Sequence, residues 1–211
     1  MIRRAAFFAA LFLFVVAAAP AAFGAKSATD TIRQTVDNVL NIIKKPEMHD
    51  PAKKTALLKD VEEQIKTIFD FGEFSARTVG PKWRTFTPDQ QRRFEDAFAS
   101  LLRATYIEKL EGYSGEKVNF TGEIVSTKGD KVEVQSSIQM KDNKVIPVSY
   151  RLLDKNGLWK VYDVRIENVS LIENYRGQFK DLLLKGSAED LIKQVEEKAR
   201  TTKNENNTVK R

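Results

Sequence analysis

The sequence predicts an α+β fold: a curved, four-stranded antiparallel sheet, helices packed against one face, and an apolar pocket between them. Three observations lead there. Apolar residues recur at helical spacing as far as Leu110. From Val118 to Leu152 the period drops to two, and Asn156-Gly157 then supplies the strongest turn signal in the chain. After Ser170 the helical spacing returns. Four strands at short intervals read as an antiparallel meander. A sheet bent over a long aromatic-rich helix leaves a hollow rather than a solid core, and no internal repeat suggests a solenoid.

Each element has its own signal. Ser27 with Asp30 opens the first helix, with Ile32, Val36, Val39, Leu40 and Ile43 on one face. Lys44, Lys45 and Pro46 close it. Asp50-Pro51 starts the second, since proline suits the first helical position, and Leu57, Leu58, Val61, Ile65, Ile68 and Phe69 form its stripe. A short third helix carries Phe71 and Phe74 and ends near Gly80-Pro81. Thr87-Pro88-Asp89-Gln90 is a strong start for a fourth, expected to run to about Glu111 with Phe94, Phe98, Leu101, Leu102, Thr105, Tyr106 and Leu110 on its stripe. In the strands, Val118, Phe120 and Ile124 share one parity. Val132, Val134, Ile138 and Met140 form a second set, and Ile146, Val148, Tyr150 and Leu152 a third. The fourth strand is expected over 158–168. Ser170 with Glu173 restarts helix, Gly186 ends it, and Ser187 caps a last helix with Leu191, Ile192 and Val195.

The ends of the chain read differently. Arg3 and Arg4 precede an uninterrupted apolar run from Ala5 to Ala19, which at fifteen residues falls short of a membrane span of roughly 20. Small residues follow, and cleavage after Gly24 would remove residues 1–24 as a secretory signal peptide. The chain has no cysteine, which excludes lipoprotein processing, disulfides and thiol chemistry. The pI near 9.4 suggests nucleic acid until the charge is located. Between Ala25 and Glu197 the chain carries 28 basic and 28 acidic residues. The surplus lies in the leader and in residues 198–211, a polar stretch without periodicity that is expected to be disordered. A neutral body is a poor match for a polyanion, so nucleic acid is not the expected partner.

Catalytic chemistry is sparse. His49 is the one histidine, beside a helix start, and reads as an exposed loop residue. A metal site needs several ligands at tight spacing, and no second histidine or cysteine is available. Nucleophile elbows, P-loops and dinucleotide-binding glycine motifs are missing. Asp163, Arg165 and Glu167 share one parity of strand four and read as an ion network on a polar face. An alternative makes Asp163 or Glu167 a base inside an apolar cone, as in a ketosteroid-isomerase-like site.

Particular residues carry a resemblance. They are Gly80-Pro81-Lys82-Trp83-Arg84, Thr87-Pro88-Asp89-Gln90-Gln91-Arg92-Arg93-Phe94, then Phe98, Leu101-Leu102, Thr105-Tyr106 and Leu110, with Tyr150-Arg151 in the third strand. Most specific are Trp159-Lys160-Val161-Tyr162-Asp163-Val164, Glu167-Asn168-Val169-Ser170-Leu171 and Asn174-Tyr175-Arg176 followed by Gln178-Phe179. In order and spacing these resemble the MlaC family, also known as toluene-tolerance proteins, from about Ile32 to Val195. Two positions depart from the pattern. Asn168 stands where the family has glycine, and asparagine tolerates the left-handed conformation. Pro147 inside a strand suggests an edge or a bulge.

The resemblance implies a non-enzymatic periplasmic phospholipid carrier, without a cofactor beyond its bound lipid, acting as a monomer. It implies a sheet like that of nuclear transport factor 2 with a helical lobe. The implied partners are an inner-membrane ABC transporter with a substrate-binding ring and an outer-membrane lipoprotein complex, in a system that maintains outer-membrane lipid asymmetry. Under that reading Trp83, Phe94, Phe98, Leu101, Leu102 and Tyr106 form one wall for the acyl chains. Val132, Val134, Ile138, Val148, Tyr150, Trp159 and Val161 form the sheet wall, and Arg84 and Arg92 approach the phosphate. Without a ligand the same aromatics are ordinary core, Trp83 covers the end of the sheet, and the cations of 77–103 are a solvated helix face. A periplasmic chaperone or adaptor that binds protein is the other reading; it predicts a filled core.

Overall fold

A computed structural model describes residues 26–107, 110, 113 and 115–209. The segment expected to be a signal peptide, residues 1–24, lies outside these residues. Helix α1 (Ala28–Ile43) starts where the Ser27 hydroxyl accepts the Asp30 N–H at 3.0 Å and donates to the Asp30 carboxylate at 2.7 Å. A short 3₁₀ turn, Pro46–His49, buries Met48 and leaves His49 exposed. Asp50 caps α2 (Pro51–Ile68) through the Ala52 N–H, and Asp70 caps α3 (Phe71–Val79) through that of Glu73. Gly80, at φ 77°, turns the chain into a second 3₁₀ segment. Helix α4 (Pro88–Leu102) begins with a complete capping box, Thr87 and Gln90 each bonding the other's backbone.

The regular helix ends earlier than the expected Glu111. At Leu102 it passes into a π-helical turn, Arg103–Ile107, which shifts the phase of the stripe and buries Ala104 and Ile107. The Asn206 side-chain amide donates to the Ala104 carbonyl at 2.8 Å, meeting an acceptor that the widened turn leaves over.

The sheet runs β1 (Lys117–Val125), β2 (Lys131–Gln139), β3 (Val145–Lys155), β4 (Leu158–Ile166) and the two-residue β5 (Val169–Ser170), antiparallel and in sequence order. The fifth strand arises because Glu167 and Asn168, at φ 50° and 66°, make a tight left-handed turn that folds the end of the expected fourth strand back on itself. Asparagine thus serves in place of glycine there. Asn156 and Gly157 turn the β3–β4 hairpin with φ 57° and 82°, the two-residue loop their sequence calls for. Pro147 lies in an inner strand rather than at an edge or a bulge. Its carbonyl accepts the Glu167 N–H at 2.9 Å, beyond the last β3–β4 pair, so the donor that proline lacks falls at the end of that ladder.

Two bulges change the strand parity. One extra residue, Thr121, sits between Phe120 and Gly122, and Ile124 therefore emerges on the face opposite Phe120, 57% exposed. In β4 the extra residue is Tyr162. Val161 and Val164 face the same side across it, while Asp163 turns to the other.

Helices α1 and α2 lie over the concave face, with Ala28 and Ile32 against Val132, Val134, Leu152 and Val161. The remaining helices, α3, α4, α5 (Leu171–Lys185) and α6 (Ala188–Val209), form a lobe at the β4–β5 side. Helix α6 also corrects the expected disordered tail, because helix continues through residue 198 to Val209. Ala199 is buried against α4, Arg200 pairs with Glu197, and Asn206 reaches Ala104. The contacts of Ala199 and Asn206 with α4 and the π turn hold a stretch whose own sequence has no apolar stripe.

Candidate functional site

The concave face of the sheet and the α1–α2 pair do not close on each other. Between them lies a cavity of about 430 Å³. Helix α1 contributes Ile32, Thr35, Val36, Val39, Leu40 and Ile43, and α2 contributes Ile65 and Ile68, with Phe69 just beyond its end. Val118, Ile138, Tyr150, Val161 and Val164 come from the sheet, Met140 from just past β2, and Leu110, Tyr113 and Glu116 from the chain after the π turn. Each group is placed by its period: the α1 residues at helical spacing, the strand residues on the concave parity.

The polar groups of the lining are few and engaged locally. The Tyr113 hydroxyl donates to the Glu116 carbonyl at 3.0 Å. Tyr150 bonds Ser136, whose own hydroxyl donates to the Val148 carbonyl at 2.9 Å, and burial pushes the Tyr150 phenol up from its ordinary value. What remains is an apolar surface that water cannot satisfy.

A second cavity of about 190 Å³ lies behind the first, against the π turn. Its walls include Phe71, Leu102, Tyr106, Ile107, Ile166 and Leu171, and it shares Ile65, Phe69 and Val164 with the larger one. Glu62 at its rim holds both Lys66, at 2.9 Å, and Arg103, at 3.1 Å.

The residues expected to line a lipid site divide into groups. Ile138, Tyr150 and Val161 line the large cavity, and Leu102 and Tyr106 the small one. Val132 and Val134 are on the right face but are covered by α1; Val148 is buried on that face, and Trp159 packs at its edge. Phe94, Phe98 and Leu101 line neither cavity: they sit in solid core among Phe74, Tyr175 and Phe179. The reason is that α5 and α6, not the sheet, cover their side of α4. Trp83 covers Phe86 and Phe94, at 5.4 and 5.7 Å between ring centres, rather than the end of the sheet. Arg92 is exposed and paired with Asp89 at 2.6 Å; Arg84 is exposed, and neither lines a cavity. Most of the lining was not assigned from the sequence: the α1 stripe, Ile65, Ile68 and Phe69 at α2, Leu110, Tyr113 and Glu116, and Val118, Met140 and Val164 on the sheet side. The only signal of the α1 and α2 residues was an ordinary amphipathic period, which does not distinguish a packed face from a hollow one.

Asp163 is fully buried, and its surroundings explain it. Its carboxylate accepts the Ser170 hydroxyl at 2.7 Å and the Ile172 N–H at 3.2 Å, with Arg151 at 3.5 Å. Ser170 in turn accepts the Glu173 N–H. This is a carboxylate fastening the N-terminus of α5 to the sheet. Glu167 is exposed in its turn and pairs with Lys144 at 2.9 Å. Among the described residues no group of three or more histidines, cysteines or acids could hold a metal, and no helix is long and apolar enough to cross a membrane.

Comparison with known proteins places this architecture. A solved structure of a phospholipid-binding protein from Ralstonia solanacearum, in complex with a phospholipid, superposes with a TM-score of 0.74 at 28% identity, covering 83% of this chain and 98% of that one. The chain is 23% identical over 173 residues to the toluene tolerance protein ttg2D of Pseudomonas putida, covering 82% of this chain and 80% of that protein. It is 24% identical over 128 residues to the intermembrane phospholipid transport system binding protein MlaC of Haemophilus influenzae, and that match spans 59% of each protein. Residues 33–197 match the family model for the MlaC protein, and the chain belongs to the MlaC family.

Proposed function

We propose that this chain is a periplasmic phospholipid carrier that moves lipid between the inner and outer membranes and so helps keep the outer membrane asymmetric. The observation that carries the reading is the 430 Å³ cavity with its aliphatic and aromatic lining. Its size suits the range of about 300–1,000 Å³ typical of small-molecule sites. Burying one methylene is worth about 0.8 kcal/mol, so two chains of roughly 30 methylenes together are worth over ~20 kcal/mol gross. Lipid therefore leaves a bilayer for water very slowly, and a carrier has to offer apolar wall in exchange. The task requires no bond to be made or broken, and the protein acts as a carrier rather than an enzyme. The phospholipid held by the Ralstonia relative supports this ligand class.

Under this proposal the acyl chains lie between α1–α2 and the sheet, in contact with Ile138, Tyr150 and Val161. The head group sits toward Thr35, Tyr113 and Glu116, the polar part of the lining. Residues 1–24 direct export and are removed. The carrier works as a monomer, taking lipid from and giving it to an outer-membrane lipoprotein complex and an inner-membrane ABC transporter with a substrate-binding ring. Native mass spectrometry of the mature protein from the periplasm, followed by organic extraction, tests the reading. Near-stoichiometric phospholipid is expected. A lipid-free protein that also takes up none from vesicles contradicts it.

A further inference from the structure

We infer that Ile65, Phe69 and Val164 form a partition that sets how long an acyl chain the carrier accepts, with the 190 Å³ cavity as further apolar space behind it. This rests on the large cavity being the lipid site. The three residues face both cavities, and all three are apolar, so only side-chain bulk separates the two spaces. The backbone of the partition is fixed. Phe69 makes a parallel bridge with Val161, and the Asp70 N–H donates to the Val161 carbonyl at 2.8 Å, fastening the end of α2 to β4. The Phe69 ring is in turn held by Phe71 and Phe74, at 4.8 and 5.3 Å between ring centres. A chain that reaches the partition therefore meets a braced ring, not a mobile loop.

Beyond the partition the walls are again apolar, including Phe71, Leu102 and Leu171. Opening it would let a longer chain bury further methylenes. Each is worth about 0.8 kcal/mol, or roughly fourfold in affinity. The partition is thus a specificity element: it stops chains of ordinary length at Phe69 and leaves the excess methylenes of a longer chain without a place.

The test loads delipidated mature protein from vesicles that contain equal amounts of phosphatidylglycerols with C16 and C20 chains, and reads the bound species by native mass spectrometry. The wild type is expected to favour C16. Phe69→Ala and Val164→Ala are expected to move the C20:C16 ratio upward, the former by at least about tenfold. Leu102→Trp added to Phe69→Ala fills the space behind and is expected to restore the wild-type ratio. If Phe69→Ala fails to fold, Val164→Ala decides. Lipid-loaded variants with an unchanged ratio would overturn the partition while leaving the carrier reading intact. A wild type that takes up neither lipid contradicts the carrier reading itself.

Discussion

Around Phe98 four aromatic rings, Phe74, Phe94, Tyr175 and Phe179, meet at 4.9 to 5.5 Å between centres, and little space is left. Around Ile138, on the concave face of the sheet, the neighbours stand back and enclose 430 Å³. Both regions are apolar, and both are built from regular elements in their expected places. They differ in what covers them. Helix α4 is enclosed by other helices of the same lobe, whose side chains interdigitate. Helices α1 and α2 bridge the sheet, packing on it at Ala28, Ile32 and Val36 and again at Ile68 and Phe69, and the space beside these contacts stays unfilled. A gap lined by aliphatic groups offers water few partners.

If the aromatic lobe is structural and the sheet lobe functional, mutations should separate them. Phe98→Ala is expected to have the largest effect on stability, about 3–5 kcal/mol in denaturant unfolding, because no neighbour can collapse into the vacated space. The lipid bound per folded molecule should not change. A smaller loss, about 1.5–3 kcal/mol, is expected for Asp163→Asn, which keeps the shape but weakens the charge-assisted bonds from Ser170 and Ile172. Loss of lipid without loss of stability in that variant would instead give Asp163 a part in the site.

The smallest effect concerns pH. Burial, with the Tyr106 phenol beside it, pushes the Tyr175 hydroxyl up to about 12. Because the folded value lies above the unfolded value of about 10, this group's contribution is complete below pH 10 and is lost as the pH rises through 12. Thermal melts of wild type and Tyr175→Phe between pH 9.5 and 11.5 should therefore show the wild type falling more steeply.

Much of the architecture was legible because its signals are local. Thr87, Ser170 and Asp50 mark helix starts whose caps form as written, and Asn156-Gly157 makes its hairpin. The illegible features come from tertiary context. The bulges at Thr121 and Tyr162 insert one residue each; alternation counted through the first assigns Ile124 to the face of Phe120, and alternation counted from Val161 through the second would put Asp163 beside it, as the alternative base-in-a-cone reading required. The π turn after Leu102 breaks the helical phase without a proline or glycine to announce it. The candidate site was visible only in part. Ile138, Tyr150 and Val161 were assigned to it from strand parity. The opposing wall was placed on α4 because aromatics at helical spacing look the same whether they line a hollow or fill one. The aliphatic stripe of α1, from Ile32 to Ile43, carried no mark of its role.

The central claim is that the space under α1, not the aromatic core, holds the ligand. The most direct measurement is the phospholipid stoichiometry of Val36→Trp, by native mass spectrometry alongside a thermal melt. Val36 faces the cavity from α1, and an indole there fills it from within. Val36→Trp is expected to melt close to wild type and to carry little or no lipid. A stable Val36→Trp that still binds phospholipid near stoichiometrically would contradict the claim.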